Sequence, residues 1–114
     1  MKALHHPQFF CWTEFNPQRN LDFHSILWVR PEGNIAFDPL PLSDHDLAHL
    51  NKLGPLTHIL LSNSDHIRDA KHLSELTGAK IWGPIAEKES FSLECQHWLE
   101  DGEEPLKGLR VIEL

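Results

Sequence analysis

The chain has 114 residues, enough for one domain with its own core and too few to divide into two. At 40% hydrophobic and 24% charged residues, it is too apolar for a disordered chain. A formal net charge of −7 leaves no basic face of the kind that nucleic acid or an anionic membrane requires, so neither is expected as the main partner.

The N-terminal MKALHHPQFF has no apolar run of signal-peptide length, and its His5-His6 pair falls in a segment expected to lack fixed structure. Residues 8–15 (QFFCWTEF) read as a strand, broken by Asn16-Pro17-Gln18-Arg19-Asn20. Residues 23–29 form a second strand, Pro31-Glu32-Gly33-Asn34 a tight turn, and 35–37 a third strand, so 22–38 reads as a hairpin. Asp38-Pro39-Leu40-Pro41 ends it, because proline has no amide to give a sheet ladder.

Ser43 is a natural helix N-cap, and Asp46 three residues on is placed to reach back to the Ser43 amide as in a capping box. Leu47, Leu50 and Leu53 give this helix its apolar face, and Gly54-Pro55 stops it. A buried strand follows at 57–61, then a helix expected from Asp65 to Thr77. Its apolar stripe is Ile67, Ala70, Leu73 and Leu76, with Arg68, Lys71, His72 and Glu75 outward. Gly78 suits the C-cap. Residues 79–82 read as a strand, 84–88 as a helical turn, 91–93 as a weak strand and 109–114 as a last apolar strand.

This order predicts an α/β (α+β) fold, a mixed sheet with helices on one face. The final strand runs to the last residue with no turn or polar tail after it, leaving an edge that invites pairing. A missing C-terminal half or a partner is therefore expected. Cys11 and Cys95 form no CxxC pattern and are expected as reduced, buried thiols, and no window is long and apolar enough to span a membrane, so a cytoplasmic protein is expected.

One stretch bears chemistry, 57-THILLSNSDHIRDAKHLSELTGAKIWGP-84. A helix N-terminus gathers unpaired amides and partial positive charge, which alone accounts for Asp65 in a first turn. An Asp-His pair after a strand-to-helix turn also suits a metal site. The other histidines add little: His24 lies in the hairpin, His58 starts the strand, His72 is outward, and His45 and His49 stand four apart on the first helix. No G-x-S-x-G elbow and no P-loop occurs. Trp28 and Trp82 read as core, though the tryptophans could line a ligand pocket.

The order 35-IAFDP-39, 43-SDHDLAHLNKLG-54, 57-THILLS-62, Asp65-His66 and 77-TGAKIW-82 resembles the metallo-β-lactamase superfamily. That resemblance implies half of an αββα sandwich, with Asp65 and His66 on the last two positions of the motif H-x-H-x-D-H. Asp65 would bind metal or orient the nucleophilic water, and His66 would bind the second metal. Ser62, Asn63 and Ser64 would line the turn. The two leading histidine positions hold Leu61 and Asn63, and neither is a competent zinc ligand. The turn is thus a remnant, holding one zinc or iron ion or none. Two readings follow. The first is a metal-dependent hydrolase-like protein acting on an unknown small molecule. The second is a non-catalytic scaffold, or a binder of a small molecule or anion, completing its sandwich by homodimerisation.

Overall fold

The computed structural model describes residues 1–112. Seven strands form one sheet in sequence order: β1 (Lys2–Ala3), β2 (Phe9–Asn16), β3 (Leu21–Trp28), β4 (Asn34–Phe37), β5 (Leu56–Leu60), β6 (Lys80–Pro84) and β7 (His97–Leu99). Neighbours from β1 to β4 are antiparallel, and those from β4 to β7 are parallel. Each parallel pair needs a crossover. Helix α1 (Asp44–Lys52) supplies the first, helix α2 (Ala70–Thr77) the second, and a 3₁₀ turn at Ile85–Ser90 lies on the third. The mixed sheet with helices on one face is as the sequence implies.

Alternation along the strands sorts the two faces. Trp12, Leu27, Ala36, Ile59 and Ile81 point to the helical side, where they meet Leu50 of α1 and Ala70 and Leu73 of α2. Ile35, Leu60 and Leu99 point to the other side with Trp28, Phe37 and Trp82, and there Leu106, Leu109 and Val111 pack on them. Trp28 and Trp82 are thus part of the core, half-buried beneath the 106–111 segment.

Several local expectations need correction. The N-terminus is structured: Lys2 and Ala3 pair with β2, and the terminal ammonium meets the Asp46 carboxylate. That ammonium holds the Asp46 carboxyl below the ordinary carboxylate range. Asp46 therefore completes only half the capping box, its amide donating to Ser43 Oγ at 3.1 Å. The helix expected over 65–77 is two pieces, a 3₁₀ turn at Ser64–His66 and α2, because Arg68 turns the chain at φ +47°. Leu76, assigned to the buried stripe, is 55% exposed, since α2 starts five residues later and presents a different arc.

The weak strand at 91–93 is absent, and the strand lies at His97–Leu99, where Gln96 bridges to β6 through its side chain and amide. Over 109–112 there is no strand. Leu109 makes only an isolated bridge to Leu106, and Val111 exchanges backbone bonds with Gly102 and Glu103. This segment folds back on itself rather than offering a free edge. The remainder of the strand expected there, 113–114, lies outside the described residues.

Candidate metal turn

The parallel strands β4 and β5 end side by side, Phe37 opposite Leu60, so the residues just beyond them share one end of the sheet. Asp38 leaves β4 with its amide donating to the Leu60 carbonyl at 2.9 Å and a left-handed φ of +47°. That conformation aims its carboxylate across to the β5 exit. Oδ1 accepts the Ser62 amide at 2.7 Å, and Oδ2 accepts the Ser62 hydroxyl at 2.6 Å. His66 Nδ1 lies 3.1 Å from the same Oδ2.

The same Nδ1 lies 3.3 Å from Ser62 Oγ and 3.3 Å from Asn63 Nδ2. A carboxylate only accepts and an amide nitrogen only donates, so Nδ1 carries a hydrogen when it bonds Asp38 and offers its lone pair when it bonds Asn63. Asn63 Nδ2 donates to Ser62 Oγ at 3.3 Å, so a donor chain runs from Asn63 through Ser62 into Asp38, with His66 Nδ1 in reach of all three. Unlike a nucleophilic triad, in which the imidazole stands between serine and carboxylate, the Ser62 hydroxyl donates directly to the Asp38 carboxylate, with the His66 imidazole 3.3 Å to the side.

Arg68 fixes the hub from below. Its guanidinium donates to the Asp38 carbonyl at 2.7 Å and to the His24 carbonyl at 3.0 Å, over the Phe23 ring. Ser25 Oγ donates to the Asp38 carbonyl at 2.7 Å and accepts the Leu40 amide at 2.8 Å. Neither Arg68, read as outward, nor Asp38, read as a hairpin end, was expected in the site. The available signal was an aspartate directly after an apolar strand, in a D-P step.

The expected turn residues are brought together, but as structure. Asn63 caps the 3₁₀ turn by accepting the Asp65 amide at 2.9 Å. Ser64 gives both its amide and its hydroxyl to Glu87 Oε1, at 3.1 and 3.0 Å. The amides of Ser62, Ser64 and Asp65 are thus taken by the protein's own Asp38, Glu87 and Asn63. Asp65 itself is exposed at the outer side of the turn.

A catalytic zinc needs about three protein ligands and an open position. Leu61, in the first histidine position, is 3% exposed inside the core, and Asn63 is committed to its cap. Among the described residues no three His, Cys, Asp or Glu side chains converge. These residues do not fit the metal centre that the motif implies. Beside the cluster a cleft of about 410 Å³ opens between Ser62, Pro84, Glu87, Asp101, Val111 and Ile112.

The other histidines stand elsewhere. His58 packs edge-on against Trp82, and His49 against Phe10. His72 pairs with Asp69 on the outside of α2 at 3.1 Å. Cys11 and Cys95 are free thiols, and burial pushes Cys95 up to about 11. No helix among the described residues is long and apolar enough to cross a membrane.

No curated protein matches the chain. A family model described as the metallo-beta-lactamase superfamily matches residues 1–114. With that match over its whole length, the chain belongs to the metallo-β-lactamase superfamily.

Proposed function

We propose that this chain is a hydrolase-like member of its superfamily in which the metal turn has become a hydrogen-bonded lock, and that it works by binding a small molecule rather than by metal-dependent hydrolysis. The observation that carries this reading is the closure of Asp38, Ser62 and His66 on one another, with Leu61 and Asn63 where metal ligands would stand. His66 Nε2 and the neighbouring cleft are the accessible chemistry. With Glu87 and Asp101 in its lining, that cleft favours neutral or cationic ligands over anions, and the turn amides that could hold an anion are already engaged.

The test is turnover by the purified chain with added zinc or iron, on a chromogenic β-lactam, a phosphodiester and a thioester. Rates equal to those of a His66→Ala variant are expected. Metal-dependent turnover that vanishes with His66→Ala overturns the reading.

A second proposal concerns assembly. On the sheet face away from the helices, Ile26 is 39% exposed, and Phe9 stacks on a half-buried Trp28 with ring centroids 5.9 Å apart. An apolar strip of this kind favours a second sheet against it, from a second copy of the chain. Light scattering at micromolar concentration is expected to give twice the chain mass, and a stable monomer contradicts it.

A further inference from the structure

Helix α1 carries two metal-binding side chains that the turn at Ser64–His66 does not use. His45 and His49 stand four residues apart in the regular helix Asp44–Lys52. That spacing puts them one turn apart on one face, with about 5–6 Å between their Cβ atoms. Both line a single cleft of about 320 Å³, together with Ala48 and Lys52. The two rings are held differently. His49 is half-buried and packs edge-on against Phe10, ring centroids 5.4 Å apart, whereas His45 is exposed in the first turn. Neither imidazole has a hydrogen-bond partner among the described residues, so each neutral ring keeps an open lone pair.

The lining selects among cations. It contains no carboxylate, so calcium and magnesium, which need oxygen donors, are not favoured there. Two imidazoles suit the later first-row divalent ions, and copper(II) binds nitrogen donors most strongly in that series. Lys52 adds one positive charge at the cleft, set against a net charge of −7 for the chain. The stretch His45-Asp46-Leu47-Ala48-His49 has the spacing of an H-E-x-x-H metalloprotease helix, with aspartate where the general base would stand. That carboxylate is taken by the terminal ammonium. The arrangement therefore supports binding of an ion and not activation of water.

We propose that His45 and His49 chelate one copper(II) ion on α1, with His49 held against Phe10, His45 turning to meet the ion, and water in the remaining positions. Two protein ligands are fewer than a zinc centre needs, in keeping with the lack of any three converging ligands among the described residues. The site is separate from the Asp38–Ser62–His66 cluster and stands whether or not that cluster binds anything.

The test titrates the chain, purified without a histidine tag, with copper(II) sulfate in a non-coordinating buffer at neutral pH. Equilibrium dialysis gives affinity and stoichiometry, and electron paramagnetic resonance identifies the nitrogen ligands. The tightest equivalent is expected in the micromolar range, with the spectrum of imidazole coordination, and zinc(II) is expected to bind more weakly. His45→Ala, at an exposed position, is expected to fold as the parent does and to bind copper at least tenfold more weakly, and His49→Ala to bind as weakly. Binding is expected to survive His66→Ala and the double variant His5→Ala/His6→Ala. The proposal falls if copper binds more weakly than millimolar, or if the tightest equivalent survives His45→Ala. It falls equally if that equivalent is lost with His66, or with His5 and His6, instead.

Discussion

Asp38 and His66, 28 residues apart in sequence, meet at 3.1 Å because β4 and β5 are parallel neighbours that end together. The same carboxylate binds the backbone and the hydroxyl of Ser62, so one side chain ties the exit of β4 to the exit of β5 and to the 3₁₀ turn beyond it. The Asp38 carboxylate gathers this turn, and that closure underlies the functional reading.

Removing the hub is therefore a stability experiment before it is an activity experiment. Asp38→Ala leaves the Ser62 amide and His66 without their acceptor and keeps an unfavourable positive φ. A loss of roughly 2–3 kcal/mol is expected from charge-assisted bonds of this kind. Asp38→Asn keeps one acceptor and tolerates the left-handed backbone, so it should lose less. Urea unfolding of the three proteins gives the order directly. Equal stability of Asp38→Ala and the parent sinks the hub.

Much of this fold was legible in the sequence. The strands from Phe9 to Phe37, the Ser43 cap, β5 and the Gly78 C-cap at φ +77° all follow from local pattern and turn chemistry. The misses share a cause. Arg68 at φ +47° splits the expected helix because its guanidinium is drawn to the Asp38 and His24 carbonyls, contacts more than 25 residues away in sequence. His97–Leu99 becomes a strand because β6 offers an edge, not because those residues alternate. For the site, Asp65 and His66 were visible as a motif. The partner that orients His66 was hidden, since Asp38 belongs to the cluster only through the parallel pairing.

Gly33 tests the turn that feeds β4. Its φ is +125°, and a Cβ there would fall 2.2 Å from Thr57 Cγ2. Gly33→Ala must both strain the backbone and push β4 away from β5, at a cost of roughly 2–4 kcal/mol. Thermal melts should show a drop on the order of 10 °C or more. A drop within a degree or two would mean that the β4–β5 approach is looser than described.

The His58 imidazole gives a pH signature. Burial, with Arg30 and Lys80 behind it, depresses its pKa below 6.5, so below that value the unfolded chain takes up a proton that the folded chain resists. Stability from the neutral ring is complete above pH 6.5 and is lost as pH falls toward the folded value. Replacing the ring by His58→Gln should flatten the decline on the acid side of 6.5 without changing stability at pH 8 relative to that baseline. Denaturant midpoints at half-unit pH intervals read this out. Parallel curves for parent and variant would show that His58 titrates as it does in the unfolded chain.

The most direct test of the central claim is metal content per chain, by plasma mass spectrometry on protein purified without a histidine tag and dialysed against metal-free buffer. Near zero zinc, iron and manganese per chain is the predicted result, with Asp38 and not an ion gathering the turn. Near one equivalent of any of them, lost in His66→Ala, would contradict it and return the turn to metal chemistry.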